Sequence, residues 1–173
     1  MTKTAYGIIS APLRGQNYDI GTVAAEKGFG PYMYEFAMMA ANAKGKGVTL
    51  ARDGDVREEA LGVWMKMYDR SDVKKQTIPP FDSSGNWNPN YSTAILTGDE
   101  DYGYESPEEF QEYWNDLDSN EQNILTKYNM IYSMAPNQDY RDMLVRGEEY
   151  VKKGMNPERA FKAGQDLFFH KYD

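Results

Sequence analysis

The residues best suited to chemistry in this 173-residue chain are two glycines ahead of a helix, in Gly28-Phe29-Gly30-Pro31. A helix N-terminus presents unpaired N–H groups and the positive end of the helix dipole. Glycines in front of it let a phosphate reach the backbone with no Cβ in the way. The same residues also suit a tight strand-to-helix turn that holds no ligand, and the sequence leaves both readings open. Two phosphate-binding signatures fail here. The dinucleotide fingerprint needs a third glycine three residues after the second, and Met33 stands there. The Walker loop needs Lys and then Ser or Thr after its last glycine, and Pro31 and Tyr32 stand there. Tyr32, Tyr34 and Phe36 follow, either as walls of a cofactor pocket or as core.

Composition narrows the other chemistries. With no cysteine there is no disulfide, thiolate nucleophile or cysteine metal site, which fits a reducing compartment. The single histidine, His170, leaves no route to a Ser-His-Asp triad or a His-rich zinc site. Between Asp99 and Glu121 stand ten acidic residues and no Lys or Arg. Carboxylates are ligands for hard cations, but the Asp-x-Asp-x-Asp-Gly spacing of a calcium loop is absent. A solvated face and no metal are the expectation, with Tyr102, Tyr104 and Tyr113 available to meet a basic protein partner. Residues 1–75 carry 11 Lys and Arg against 9 Asp and Glu, and residues 76–173 carry 8 against 18. A nucleic-acid backbone needs a basic face, so this balance argues against that partner. No stretch reaches the roughly 20 apolar residues of a membrane span, and the N-terminus lacks a signal-peptide pattern. A soluble protein of the cell interior is the simplest expectation.

The elements that must position the glycines are legible. Thr4–Leu13 reads as a strand, Arg14–Asn17 as a turn and Tyr18–Ala24 as a second strand, able to pair as a hairpin. Pro31 to Ala43 is the strongest helix, with Tyr34, Ala37, Met38 and Ala41 at helical spacing and Gly45 and Gly47 beyond its end. Val48–Arg52 reads as a third strand. Asp55 as N-cap with Glu58 as capping-box partner opens a helix from Val56 to Tyr68. Proline and glycine mark Thr77–Pro89 as a loop, and Tyr91–Leu96 reads as one more strand. Helices are expected over Pro107–Leu117, Glu121–Met134, Asn137–Lys153 and Pro157–Tyr172. The fold class is α/β (α+β). Its parts are a β-β-α-β-α core at 1–76, a loop with a candidate strand at 77–105 and a helical region at 106–173. Met38-Met39 and eight further methionines suit either a core or an adaptable contact surface.

Strand, Ala25-Glu26-Lys27-Gly28-Phe29-Gly30, helix, strand and second helix resemble the GNAT superfamily of acyl-CoA-dependent acyltransferases. In that family the pyrophosphate loop is Gln/Arg-x-x-Gly-x-Gly/Ala. Gly28-Phe29-Gly30-Pro31-Tyr32-Met33-Tyr34 and Val63-Trp64-Met65-Lys66-Met67-Tyr68-Asp69-Arg70 are similar to divergent GNAT-like proteins of bacteriophage genomes. The resemblance covers roughly residues 18–75. It implies acetyl-CoA or another acyl-CoA as cofactor, with Val23 beside the pantetheine arm and Lys27, Gly28, Phe29 and Gly30 giving amides to the pyrophosphate. An amine would attack the thioester, and a tyrosine would protonate the leaving thiolate.

The chain departs from the family pattern at three places. Ala25 replaces Gln/Arg. Trp64 stands where the acid tyrosine belongs, leaving Tyr68, one turn later, as the candidate acid. The strand and helices that precede the loop in the family have no counterpart here. The leading expectation is an acyltransferase of a phage-like kind, in the host cytoplasm or the virion. The first alternative is a catalytically inactive virion or protein-binding protein. The second is an anti-host protein whose acidic half binds a basic partner. An enzyme should show a V-shaped opening between the second and third strands. A structural protein should plug that opening with its own side chains.

Overall fold

The computed structural model describes residues 7–25 and 30–138, with 140–142, 145, 152–154 and 156 beyond them. Lys27, Gly28 and Phe29 lie outside the described residues, as do His170 and the helix expected over Pro157–Tyr172.

The expected hairpin forms. One arm is β1 (Gly7–Ser10) and β2 (Leu13–Arg14), and the other is β3 (Asn17–Asp19) and β4 (Thr22–Ala25). Leu13 pairs with Tyr18 and Ser10 with Thr22. Between these pairs, Asp19, Ile20 and Gly21 oppose only Ala11 and Pro12. That extra residue is a β-bulge, which bends the strand that carries it. Before the bulge, β3 runs parallel to β5 (Val48–Thr49), with Tyr18 beside Val48 and Asp19 beside Thr49. After the bulge, β4 pairs, among the described residues, with β1 alone. The main sheet continues from β5 through β7 (Met130–Met134) to β6 (Val73–Thr77), both contacts antiparallel.

Two helices pack on one face of this sheet. The first, α1 (Gly30–Ala43), buries Met33, Tyr34, Ala37, Met38, Met39 and Ala41, much as its apolar spacing required. The second, α2 (Glu58–Asp69), buries Trp64 and Met67. Its start differs from the expectation. Arg57 is the N-cap and makes no side-chain cap bond. Asp55 instead lies in a turn of its own, its N–H bonded to Asp53 Oδ1 at 3.0 Å while Val56 N–H bonds to the Gly54 carbonyl at 2.8 Å.

Residues 78–129 connect β6 to β7 and carry α3 (Ala94–Thr97), α4 (Pro107–Asp116) and α5 (Ser119–Tyr128). Ser106 caps α4 as its sequence signal requires, and Asp118 and Glu121 close a capping box at α5. Two expectations fail. Tyr91–Leu96 is not a strand: Ser92 Oγ accepts from Ala94 N–H at 3.1 Å and starts α3 instead. Glu121–Met134 is not one helix: α5 ends at Tyr128, and Met130–Met134 becomes a strand between β5 and β6. The second half of the chain thus supplies an inner strand of the sheet as well as helices.

The core is rich in rings and thioethers. Met33, Met38, Met39, Met67, Met130 and Met134 are all buried. Trp64 sits between Tyr34 and Tyr132, ring centroids 5.0 and 4.8 Å away. Trp87 gathers Tyr91, Tyr104 and Phe110 at 5.4 to 5.8 Å, so the long connection packs through aromatic edges and faces. Tyr104 and Tyr113 belong to this packing, 5.1 Å apart, which leaves Tyr102 as the exposed tyrosine of the acidic stretch.

Candidate functional site

The bulge at Asp19–Gly21 sets the geometry of the site. Up to Ile20, whose N–H bonds to the Thr49 carbonyl at 2.9 Å, β3 and β5 share a ladder. Beyond it the chains part. Gly21 N–H turns to the Ser10 carbonyl at 2.9 Å, and β4 follows β1 away from β5. The result is a wedge-shaped cleft of about 350 Å³. One wall is Ile20 to Ala24. The other is Leu50, Ala51 and the turn at Asp55, Val56 and Arg57. The floor is Tyr34, Ala60 and Trp64.

The apex of the wedge is fixed by charge and hydrogen bonds. Asp19 Oδ1 accepts from Thr49 Oγ1 at 2.8 Å, and Asp19 Oδ2 accepts from Arg52 N–H at 3.4 Å. The Arg52 side chain is 4% exposed. It donates from Nε to the Leu50 carbonyl (2.9 Å), from Nη2 to the Tyr128 carbonyl (2.7 Å) and from Nη1 to Asn129 Oδ1 (3.1 Å). Burial lowers its pKa, while the nearby Tyr128 and Asp19 favour its charged form. Its guanidinium stacks over the Tyr128 ring at 4.3 Å, and the Tyr128 hydroxyl donates to the Ala51 carbonyl. The Arg52 carbonyl accepts from Ser92 Oγ at 3.1 Å. This wall is therefore anchored to the β6–β7 connection, and a site held by such supports is preorganised.

Of the residues that sequence reasoning singled out, the structure brings Val23, Tyr34 and Trp64 to the cleft. Gly30 is the first residue of α1, whose first turn carries no acidic side chain. A Cβ on Gly30 would meet no atom of the described residues within 4 Å, so these residues set no packing demand for glycine there. Tyr32 is largely exposed and is not a lining residue. Tyr68 is not a lining residue either. Its ring lies under the Lys75 and Lys127 ammonium groups at 5.7 and 4.9 Å. Lys27, Gly28 and Phe29 belong to the undescribed stretch between β4 and α1.

Sequence reasoning weighed Tyr34 only as one ring among several and missed the role of Arg52. Tyr34 is the one tyrosine among the described lining residues. It is 5% exposed, and burial raises its pKa, so the phenol stays protonated at neutral pH. Nothing in the local sequence distinguishes Arg52, because its partners other than the Leu50 carbonyl lie 33 to 77 residues away. Among the described residues no three acidic or histidine side chains gather as a metal site, and no helix is long and apolar enough to cross a membrane. No protein-family model, curated protein or solved structure matches the chain.

The arrangement can hold an extended ligand. An unpaired strand edge offers backbone donors and acceptors to any chain laid beside it. The volume lies at the small end of ligand pockets. The floor is apolar and aromatic, and Asp55 and Arg57 supply charge beside it.

Proposed function

We propose that this chain is an acyl-CoA-dependent acyltransferase of a phage-like, GNAT-related kind, acting on an acceptor that is not yet identified. The observation that carries the reading is the cleft between two strands that run parallel to Asp19 and Thr49 and then part. A pantetheine arm is linear and carries two amides. It suits the unpaired edge of β4, with Val23 alongside. The arm would lead toward the N-terminus of α1, where Lys27, Gly28, Phe29 and Gly30 would offer amides to the pyrophosphate.

In this reading an acceptor amine would attack the thioester carbonyl, the C–S bond would break, the amine nitrogen would lose a proton to a base or to water, and the leaving thiolate would take one. Tyr34, protonated and in the cleft floor, is better situated for that transfer than Tyr68, the substitute left when Trp64 occupies the place of the family's acid tyrosine. Calorimetric titration with acetyl-CoA tests the reading. Saturable binding that a Gly30→Asp variant loses while remaining folded supports it. No heat with millimolar acetyl-CoA on folded protein refutes it.

A second reading is favoured by two observations: Trp64 is fully packed where the family has its acid, and Tyr68 is outside the cleft. In that reading the fold is retained without chemistry, and the acidic, exposed α4 region meets a basic protein partner. Acetyl-CoA binding with no thiol release across a panel of amine acceptors, together with a partner that a charge reversal in α4 displaces, would decide for it.

A further inference from the structure

The opposite face of the main sheet carries a second cavity, about 140 Å³, which the acyl-CoA reading does not use. Paired residues share a face, so Asn17, Thr49, Ile131 and Gln76 turn away from α1 and α2. They line this cavity with Arg14 and Arg52, under the loop that carries Asn88 and Asn90. None of its described lining residues is acidic; the carboxylate beside it is Asp19, which accepts from Thr49 Oγ1 at 2.8 Å and lies 3.7 Å from Arg14 and 3.9 Å from Arg52.

The side chains here are biased toward donation. Asn17 Oδ1 accepts from Gly47 N–H at 3.1 Å, which fixes its amide and leaves Nδ2 as the uncommitted end. Arg14 Nη1 forms ion pairs with Asp19 at 3.7 Å and Glu100 at 3.8 Å, both longer than a hydrogen bond. Its Nε and Nη2 donate no hydrogen bond among the described residues, and these are the N–H groups left for a planar acceptor. We propose that this cavity binds a small carboxylate of about amino-acid size, its carboxylate on Arg14 and Asn17 Nδ2 and its polar remainder against the side-chain amides. A volume of 140 Å³ holds about four or five water molecules' worth of ligand. Thr49 and Arg52 face this cavity while Leu50 and Ala51 face the cleft, so the two sites share one wall.

The test is calorimetric titration of the whole chain with sodium glutamate, sodium succinate and sodium phosphate, each against sodium chloride at matched ionic strength. We expect saturable binding of glutamate or succinate in the millimolar range or tighter. Arg14→Gln, on a half-exposed side chain, should weaken it by at least about ten-fold, the loss of one charge-assisted hydrogen bond. Asn17→Asp keeps the acceptor for Gly47 N–H, and so the turn, but puts a carboxylate where the donor was, and should abolish binding. Absence of heat with both carboxylates, binding of phosphate alone, or equal binding by the folded Arg14→Gln and Asn17→Asp proteins would each overturn the proposal. None of these outcomes depends on whether acetyl-CoA binds.

Discussion

Two glycines beside the cleft have opposite reasons to be glycine. Gly54 has φ +77°, and a Cβ there would overlap the Ala94 carbonyl. Gly54→Ala should therefore cost at least about 2 kcal/mol in urea unfolding, through strain and overpacking together. Gly30 has neither constraint. Gly30→Ala should leave the unfolding free energy in urea unchanged or raise it slightly, by up to about 1 kcal/mol, yet weaken acetyl-CoA binding if the backbone there approaches a pyrophosphate. A Gly30→Ala protein that binds as the parent does would remove Gly30 from the cradle. Tyr34→Phe keeps the ring against Trp64 and removes only the hydroxyl. It should bind acetyl-CoA normally and release thiol about a hundred-fold more slowly once an amine acceptor is found. At this scale the sequence singled out Val23 and Trp64, and both line the cleft. It could not rank Tyr34 above Tyr68, because only the bulge and the splay decide which tyrosine meets the cleft.

The elements were legible where the signal is local. The hairpin, α1, the Ser106 cap and the loop after Thr77 follow from alternation, helical spacing and turn residues, and they form as expected. Met130–Met134 does alternate buried and half-buried positions, but it follows α5 so closely that helical spacing absorbed it. Tyr91–Leu96 has strand-like composition, yet its backbone is claimed by a distant side chain. Asn129, 1% exposed, accepts from Ser92 N–H at 2.9 Å and donates to the Ser92 and Leu125 carbonyls at 2.8 and 3.1 Å. It also holds Arg52. Asn129→Ala would orphan several buried groups at once. We predict a loss of about 2 to 4 kcal/mol in urea unfolding. A change under about 0.5 kcal/mol would mean that α3, α5 and β7 are held together by ring packing alone.

For the whole molecule, the density of buried tyrosine has a consequence in alkali. Burial raises the pKa of Tyr34, Tyr91, Tyr104, Tyr113, Tyr128, Tyr132 and Tyr140 above the ordinary value. The unfolded chain loses these protons near pH 10 while the folded protein keeps them, so stability is fully present below about pH 10 and falls as pH rises toward the folded values. Alkaline unfolding monitored by circular dichroism should coincide with tyrosinate absorbance at its onset. Tyrosinate appearing fully before unfolding would show that these hydroxyls are not protected. The α/β class was readable from the order of elements, but the course of the sheet was not, since β7 pairs with β5 and β6 across a long helical connection. The cleft follows from that same non-local sheet, and amide hydrogen exchange with and without acetyl-CoA tests it most directly. An acyl-CoA cleft predicts slowed exchange confined to Thr22–Ala25, the Lys27–Gly30 amides with the first turn of α1, and Leu50–Ala51. Unchanged exchange there, with protection elsewhere or none at saturating acetyl-CoA, would contradict it.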